Sequence, residues 1–121
     1  MKNGNNKKHA YYRTFLKISF WALIIIISYM AFTPLLVPVV ASVNDKLNHA
    51  VAFFVLLFIG QKAFDLSILK LIILLFIYGL LIETVQLFLP LREFSIFDIL
   101  FNCLGMGLYF SIDFIYKRFK K

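Results

Sequence analysis

Cysteine, charge and acid are all scarce in this chain. Cys103 is the only cysteine, so no disulfide can form within the chain. Only 16% of the residues are charged, against roughly 25% in a soluble domain. Acids are fewest, six against 13 Lys and Arg, for a net charge of +7. Five glycines and three prolines are scattered, and no repeat, Gly/Ser linker or low-complexity tract appears. These shortages exclude a disulfide scaffold, a disordered chain and a conventional water-soluble enzyme. Abundant instead are apolar side chains, 62% of 121 residues, at a mean hydropathy of +0.87. That length permits one domain at most. The composition is that of a small integral membrane protein. The basic excess flanks the apolar runs, which points to the lipid bilayer as partner and away from nucleic acid. Cys103 lies inside an apolar run, where a thiol packs as a small hydrophobe.

Four apolar runs stand out: Ile18–Val40, His49–Phe64, Ile68–Leu89 and Ile96–Tyr116. Each reaches or approaches the roughly 20 residues a helix needs to cross hydrocarbon. The second is the shortest and enters through Asn48 and His49. The runs lack the polar face of a soluble four-helix protein, so the expected fold is all-α, a four-helix transmembrane bundle. Four spans put both termini and the second loop on one side. That side then holds every Lys and Arg except Lys46 and Arg92, a positive-inside bias that makes the N- and C-termini cytoplasmic. Residues 1–17 and 117–121 become basic cytoplasmic tails, the first mobile, around a membrane domain at 18–116. Trp21, Tyr29, Tyr78, Tyr109 and Tyr116 are suited to anchor the interfaces, and Pro34 and Pro38 to end or kink the first span. The first run exceeds the roughly 7–15 residues of a signal-peptide core, so it is read as a retained span rather than a leader cut after Ala41.

The few polar residues inside the spans carry the functional information. Asp45 and His49 are four apart and share a helix face, with Lys46 beside them; Glu83 and Gln86 are three apart on another. Asp98 and Asn102 form a third pair, with Gly105 one turn further. In the alternating topology all three faces meet in the outer half of the bilayer, near the Pro90–Phe94 loop and its Arg92. Glu83, seven residues before Pro90, is placed about 10 Å below the outer helix end. An ionisable group at such depth faces the protein interior or a wet cavity and marks a functional site by default. The expected ligand-binding set is Asp45, Lys46, His49, Glu83, Gln86, Arg92, Asp98 and Asn102. Structural roles compete for several of them. Asp45 can cap the second helix; Ser95-x-x-Asp98 matches a capping box. Gln86 and Asn102 can hydrogen-bond between helices, and Gly105 and Gly107 can let helices approach. Glu83 has no such alternative in the sequence.

These residues resemble the VanZ-like family of small bacterial membrane proteins. The matching pieces are Asp45-Lys46-Leu47-Asn48-His49 with Phe53-Phe54, then Gly79 through Gln86 with Glu83-x-x-Gln86, then Pro90-Leu91-Arg92-Glu93-Phe94-Ser95-Ile96-Phe97-Asp98, completed by Asn102 and Gly105. The likeness runs from about Asp45 to Tyr109 and fills every position of the pattern; order and spacing make it specific where no single piece is. It implies a multi-pass protein of the bacterial inner or plasma membrane and an association with teicoplanin resistance. It brings no catalytic assignment.

Three functions fit. The leading one is a non-enzymatic cell-envelope role, in which the pocket binds a lipid-linked or headgroup ligand through Arg92 and Lys46, possible glycopeptide susceptibility being its output. The second is a membrane-embedded enzyme acting on a lipid-linked substrate, with Asp45, His49, Glu83 and Asp98 as acid/base groups or divalent-metal ligands. No H-E-x-x-H, G-x-S-x-G or phosphate loop accompanies them, and no cofactor or metal motif is present. The third is an oligomeric transporter with Glu83 as its proton-coupled carboxylate.

Overall fold

Pro34 and Pro38 fall near the end of the first apolar run and Pro90 just after the third, and each run forms an α-helix over most of its described length. The computed structural model describes residues 2–33, 43–89 and 94–120, with side chains from residue 3 in the first stretch and from residue 46 in the second. The helices are α1 (Lys2–Phe32), α2 (Val43–Ala63), α3 (Ile68–Gln86) and α4 (Ile96–Lys120). A helix is what an apolar chain must form away from water, because it satisfies its own backbone N–H and C=O groups. Three of them, α1, α3 and α4, are long and apolar enough to cross a membrane.

The contacts fix the directions. Ser28 on α1 hydrogen-bonds Tyr78 on α3 at 2.6 Å, and Gln86 on α3 reaches Ala31 on α1. Those two helices therefore run parallel. The starts of α2 and α4 meet at His49 and Asn102, and their ends at Gln61 and Asp113, so α2 and α4 are also parallel. Consecutive helices run in opposite directions.

Helix α2 occupies the middle and touches all three others. Its Phe53, Leu56 and Leu57 are fully buried, packed with Phe20, Leu71, Leu75, Met106 and Tyr109. The outer helices turn Ile25, Leu69, Leu104 and Leu108 outward, each more than half exposed. Such a surface is an aggregation hazard in water and is natural against lipid. Gly105 lets α2 and α4 close up: a Cβ there would stand 2.0 Å from the Ala50 carbonyl oxygen. A Cβ at Gly107 would meet nothing within 4 Å, so only one of the two glycines serves helix approach.

Two boundaries differ from the sequence expectation. Helix α1 begins at Lys2 and runs straight through the segment expected to be a mobile tail. At 31 residues it spans about 46 Å, well beyond the roughly 30 Å of hydrocarbon. Its basic turns precede the apolar part of the helix and are tied to the next connection by Arg13, which pairs with Asp65 at 2.9 Å. Helix α3 stops at Gln86 instead of Leu89, since the residues ahead of Pro90 are disfavoured from continuing a helix. Glu83 is thereby one turn from the helix end, about 4.5 Å by helical rise, and nearer that end than expected. Pro34, Pro38 and Pro90 lie outside the described residues.

Of the aromatics suited to interfaces, Tyr78 and Tyr109 instead join helices. Tyr78 donates to the Ile24 carbonyl at 3.1 Å and shares a hydrogen bond with Ser28; Tyr109 donates to Gln61. Trp21, Tyr29 and Tyr116 are exposed on the outer surface, as anchors would be.

Candidate functional site

Alternating helix direction brings the start of α2, the end of α3 and the start of α4 to one end of the molecule. There the apolar stripes of the helices are interrupted by polar side chains that remain buried. On α4 the inward face reads Asp98, Asn102, Gly105, Met106 and Tyr109; on α3 it reads Leu71, Leu75, Gly79, Ile82, Glu83 and Gln86. Glu83 is 0% exposed, Asn102 3% and Asp98 7%. Lys46 and His49 sit at the edge, partly open.

The contacts are specific. His49 Nδ1 lies 2.9 Å from Asn102 Oδ1, and His49 Nε2 lies 3.7 Å from Asp98 Oδ2. Lys46 Nζ stands 3.9 Å from Asp98 Oδ1, too far for a hydrogen bond, and 5.9 Å from the Phe97 ring centroid. Ligand atoms of His49, Glu83 and Asp98 all lie within 4.8 Å of one another. Asn102 is seated against Gly79, where a Cβ would come within 2.9 Å of its Nδ2. Glu83 Oε2 accepts the Ser95 backbone N–H at 3.0 Å. Glu83 Oε1 and Asp98 Oδ1 are buried and, with both groups ionised, have no hydrogen-bond partner among the described residues; a proton on either carboxyl would let the two bond to each other.

Two of these contacts revise the structural roles read from the sequence. In a capping box, Asp98 would satisfy the Ser95 N–H. Glu83 does so from another helix, and Asp98 turns toward His49 and Lys46. Glu83 thus has a structural task for one oxygen, which the sequence did not reveal.

Of the residues expected to bind a ligand, the structure gathers Lys46, His49, Glu83, Asp98 and Asn102. Gln86 is elsewhere. Its Nε2 donates to the Ala31 carbonyl at 2.9 Å, one of the last carbonyls of α1, which have no partner within their own helix. Replacing Gln86 with Leu should lower thermal stability by about 1 kcal/mol, the usual worth of one such bond. The cluster and its ligand binding should be unchanged, as calorimetry on the purified variant would report. The Asp45 side chain and Arg92 lie outside the described residues.

Sequence reading missed a second polar group at the opposite end. Gln61 Nε2 donates to Asp113 Oδ2 at 3.4 Å, and Lys117 pairs with Asp113 at 3.0 Å. An isolated acid in an apolar run, four residues ahead of a lysine, was the available signal. A shallow depression lined by Ile68, Phe110, Phe114, Arg118 and this pair opens there, away from the buried cluster.

No protein-family model and no solved structure matches the chain. An uncharacterized protein of the fission yeast Schizosaccharomyces pombe is 38% identical over 104 residues, covering 82% of this chain and 62% of the relative. The chain therefore spans less than two thirds of that protein's length. The relative's name assigns no activity, so the VanZ-like resemblance, with its bacterial membrane and its glycopeptide connection, rests on the quoted residues alone.

Proposed function

We propose that the chain is a VanZ-like, four-span membrane bundle with cytoplasmic termini and an outward-facing polar pocket that binds an anionic headgroup, lipid-linked or free. The observation that carries this reading is the buried cluster of His49, Glu83, Asp98 and Asn102. It retains two carboxyl oxygens without hydrogen-bond partners, and Lys46 stands at its rim. Burying a polar atom unpaired costs about 1–3 kcal/mol, a penalty a purely structural site would shed by substitution. The orientation is supported by charge. Arg13, Lys17, Lys62, Lys117 and Arg118 gather at the end away from the cluster, in contact with Asp65, Phe64, Phe58 and Asp113 or lining the depression there. The membrane is the plasma membrane, bacterial by the resemblance, and the output is altered teicoplanin susceptibility. A membrane-embedded enzyme is the second reading, favoured by the donor set of His49, Glu83 and Asp98.

Dihexanoyl phosphatidic acid titrated into the full chain in phosphatidylcholine nanodiscs tests the pocket. Saturable binding is expected in the wild type in buffer containing Mn²⁺, and its loss in Glu83→Gln and Asp98→Asn. Failure of the folded wild type to bind would remove the headgroup role. In a susceptible Gram-positive host, a teicoplanin shift lost in both variants would tie the pocket to the envelope. No shift with normally inserted protein would remove resistance as its output.

A further inference from the structure

We infer that His49, Glu83 and Asp98 hold a divalent cation, and that this cation is what makes an acidic pocket accept an anion. The inference rests on the headgroup reading for its purpose and on the cluster alone for its chemistry. Three kinds of observation meet here. The ligand atoms of the three residues lie within 4.8 Å of one another. Glu83, fully buried, keeps Oε1 without a partner, and Asp98, nine-tenths buried, keeps Oδ1 likewise. Finally, the imidazole is oriented as a ligand. Asn102 Oδ1 is a carbonyl oxygen and can only accept, so His49 Nδ1 carries the proton and donates to it at 2.9 Å. Nε2 is the ring nitrogen on the side of Asp98, 3.7 Å from its Oδ2. A ring nitrogen that donates to a fixed acceptor while the other faces the metal is the usual arrangement of a ligating histidine.

Charge supplies the reason. Among the described residues, two carboxyl groups face one ammonium, that of Lys46, so the cluster is negative and repels a phosphate once both are ionised. A divalent cation reverses the sign. One imidazole and two carboxylates suit Mn²⁺, Fe²⁺ or Zn²⁺, and three protein ligands leave positions for water or a headgroup oxygen. Ligands at roughly 2.1 Å from an ion stand about 3.4 Å from each other, so binding draws the present donors together by about 1 Å. Asn102 is a positioning residue, seated against Gly79 where a larger residue would crowd its amide nitrogen, and it acts through His49.

The test uses the full chain in phosphatidylcholine nanodiscs, stripped with EDTA and titrated with Mn²⁺ under electron paramagnetic resonance. One saturable site per chain is expected, with a nitrogen hyperfine coupling that disappears in His49→Gln. Glu83→Gln and Asp98→Asn should each weaken Mn²⁺ by more than about a hundredfold, and Asn102→Ala by about tenfold, as outer partners of metal ligands do. Gln86→Leu should bind as the wild type does, and circular dichroism selects the variants that remain folded. No saturable site for Mn²⁺ or Zn²⁺ in the wild type overturns the inference, as does wild-type affinity in folded Glu83→Gln and Asp98→Asn. Dihexanoyl phosphatidic acid separates the two readings. If it binds equally with EDTA present, the cation falls and the headgroup pocket stands. If Mn²⁺ binds as expected and the lipid does not, the metal site stands and the headgroup reading falls.

Discussion

Gly105→Ala is expected to be the most damaging single-methyl change in the described chain. The added Cβ would sit 2.0 Å from the Ala50 carbonyl oxygen and 2.8 Å from its carbon. Both obstacles are backbone atoms of α2, so no side-chain rotation relieves them, and α2 and α4 must separate. Overpacking a core usually costs about 1–3 kcal/mol when side chains can adjust; here the shift is of whole helices, and at least about 3 kcal/mol is expected. The damage reaches the pocket, because His49 and Asn102 belong to the same two helices on either side of this contact. Gly107→Ala is the control. Its Cβ has open space, and alanine's better helix propensity should leave stability unchanged or raised by up to about 1 kcal/mol. Thermal unfolding in detergent, followed by circular dichroism, compares the two. Equal melting temperatures for both variants would mean that the helices are not held at this approach.

How far the sequence carries depends on which force sets each feature. Helix number was legible because it follows from apolar runs interrupted by polar ones. Helix ends were not, because hydropathy reports what lipid tolerates, whereas helix ends follow backbone geometry. Leu87, Phe88 and Leu89 are apolar and suited to lipid, yet they precede Pro90 and leave the helix. The N-terminal turns of α1 are polar and still helical, since Lys, Arg, Ala and Tyr continue a helix already nucleated by its apolar part. Within the site, His49, Asp98 and Asn102 were legible from four-residue spacing plus alternating direction. Gln86 was not. Three residues advance a helix by 300°, which leaves Gln86 about 60° around the axis from Glu83. That angle separates the side of α3 facing α4 from the side facing α1, and only the packed structure tells which neighbour lies there. The Glu83 bond to Ser95 was equally hidden, since it joins residues on two helices across a connection whose path no local rule gives.

Glu83 separates what the site needs for folding from what it needs for binding. Glu83→Ala removes the acceptor of the Ser95 N–H, the bond that ties the start of α4 to the end of α3. It also empties a fully buried position. An unsatisfied N–H costs about 1–3 kcal/mol and the cavity adds to it, so a fall in stability of about 3 kcal/mol is expected. Glu83→Gln should behave in the opposite way. Its carbonyl oxygen can still accept from Ser95, and its amide group can donate to the neighbouring Asp98 carboxylate, whose Oδ1 has no hydrogen-bond partner. Two buried carboxyl groups become a donor and an acceptor, and metal-free Glu83→Gln should melt at or above the wild type. Both variants should nevertheless fail to bind Mn²⁺. That combination, a neutral or stabilising change that abolishes binding, is the mark of a residue retained for function against the interest of stability. Melting curves of the EDTA-treated proteins decide it. If Glu83→Gln is as unstable as Glu83→Ala, both carboxylate oxygens are needed by the fold itself, and the unpartnered oxygen would no longer speak for a ligand.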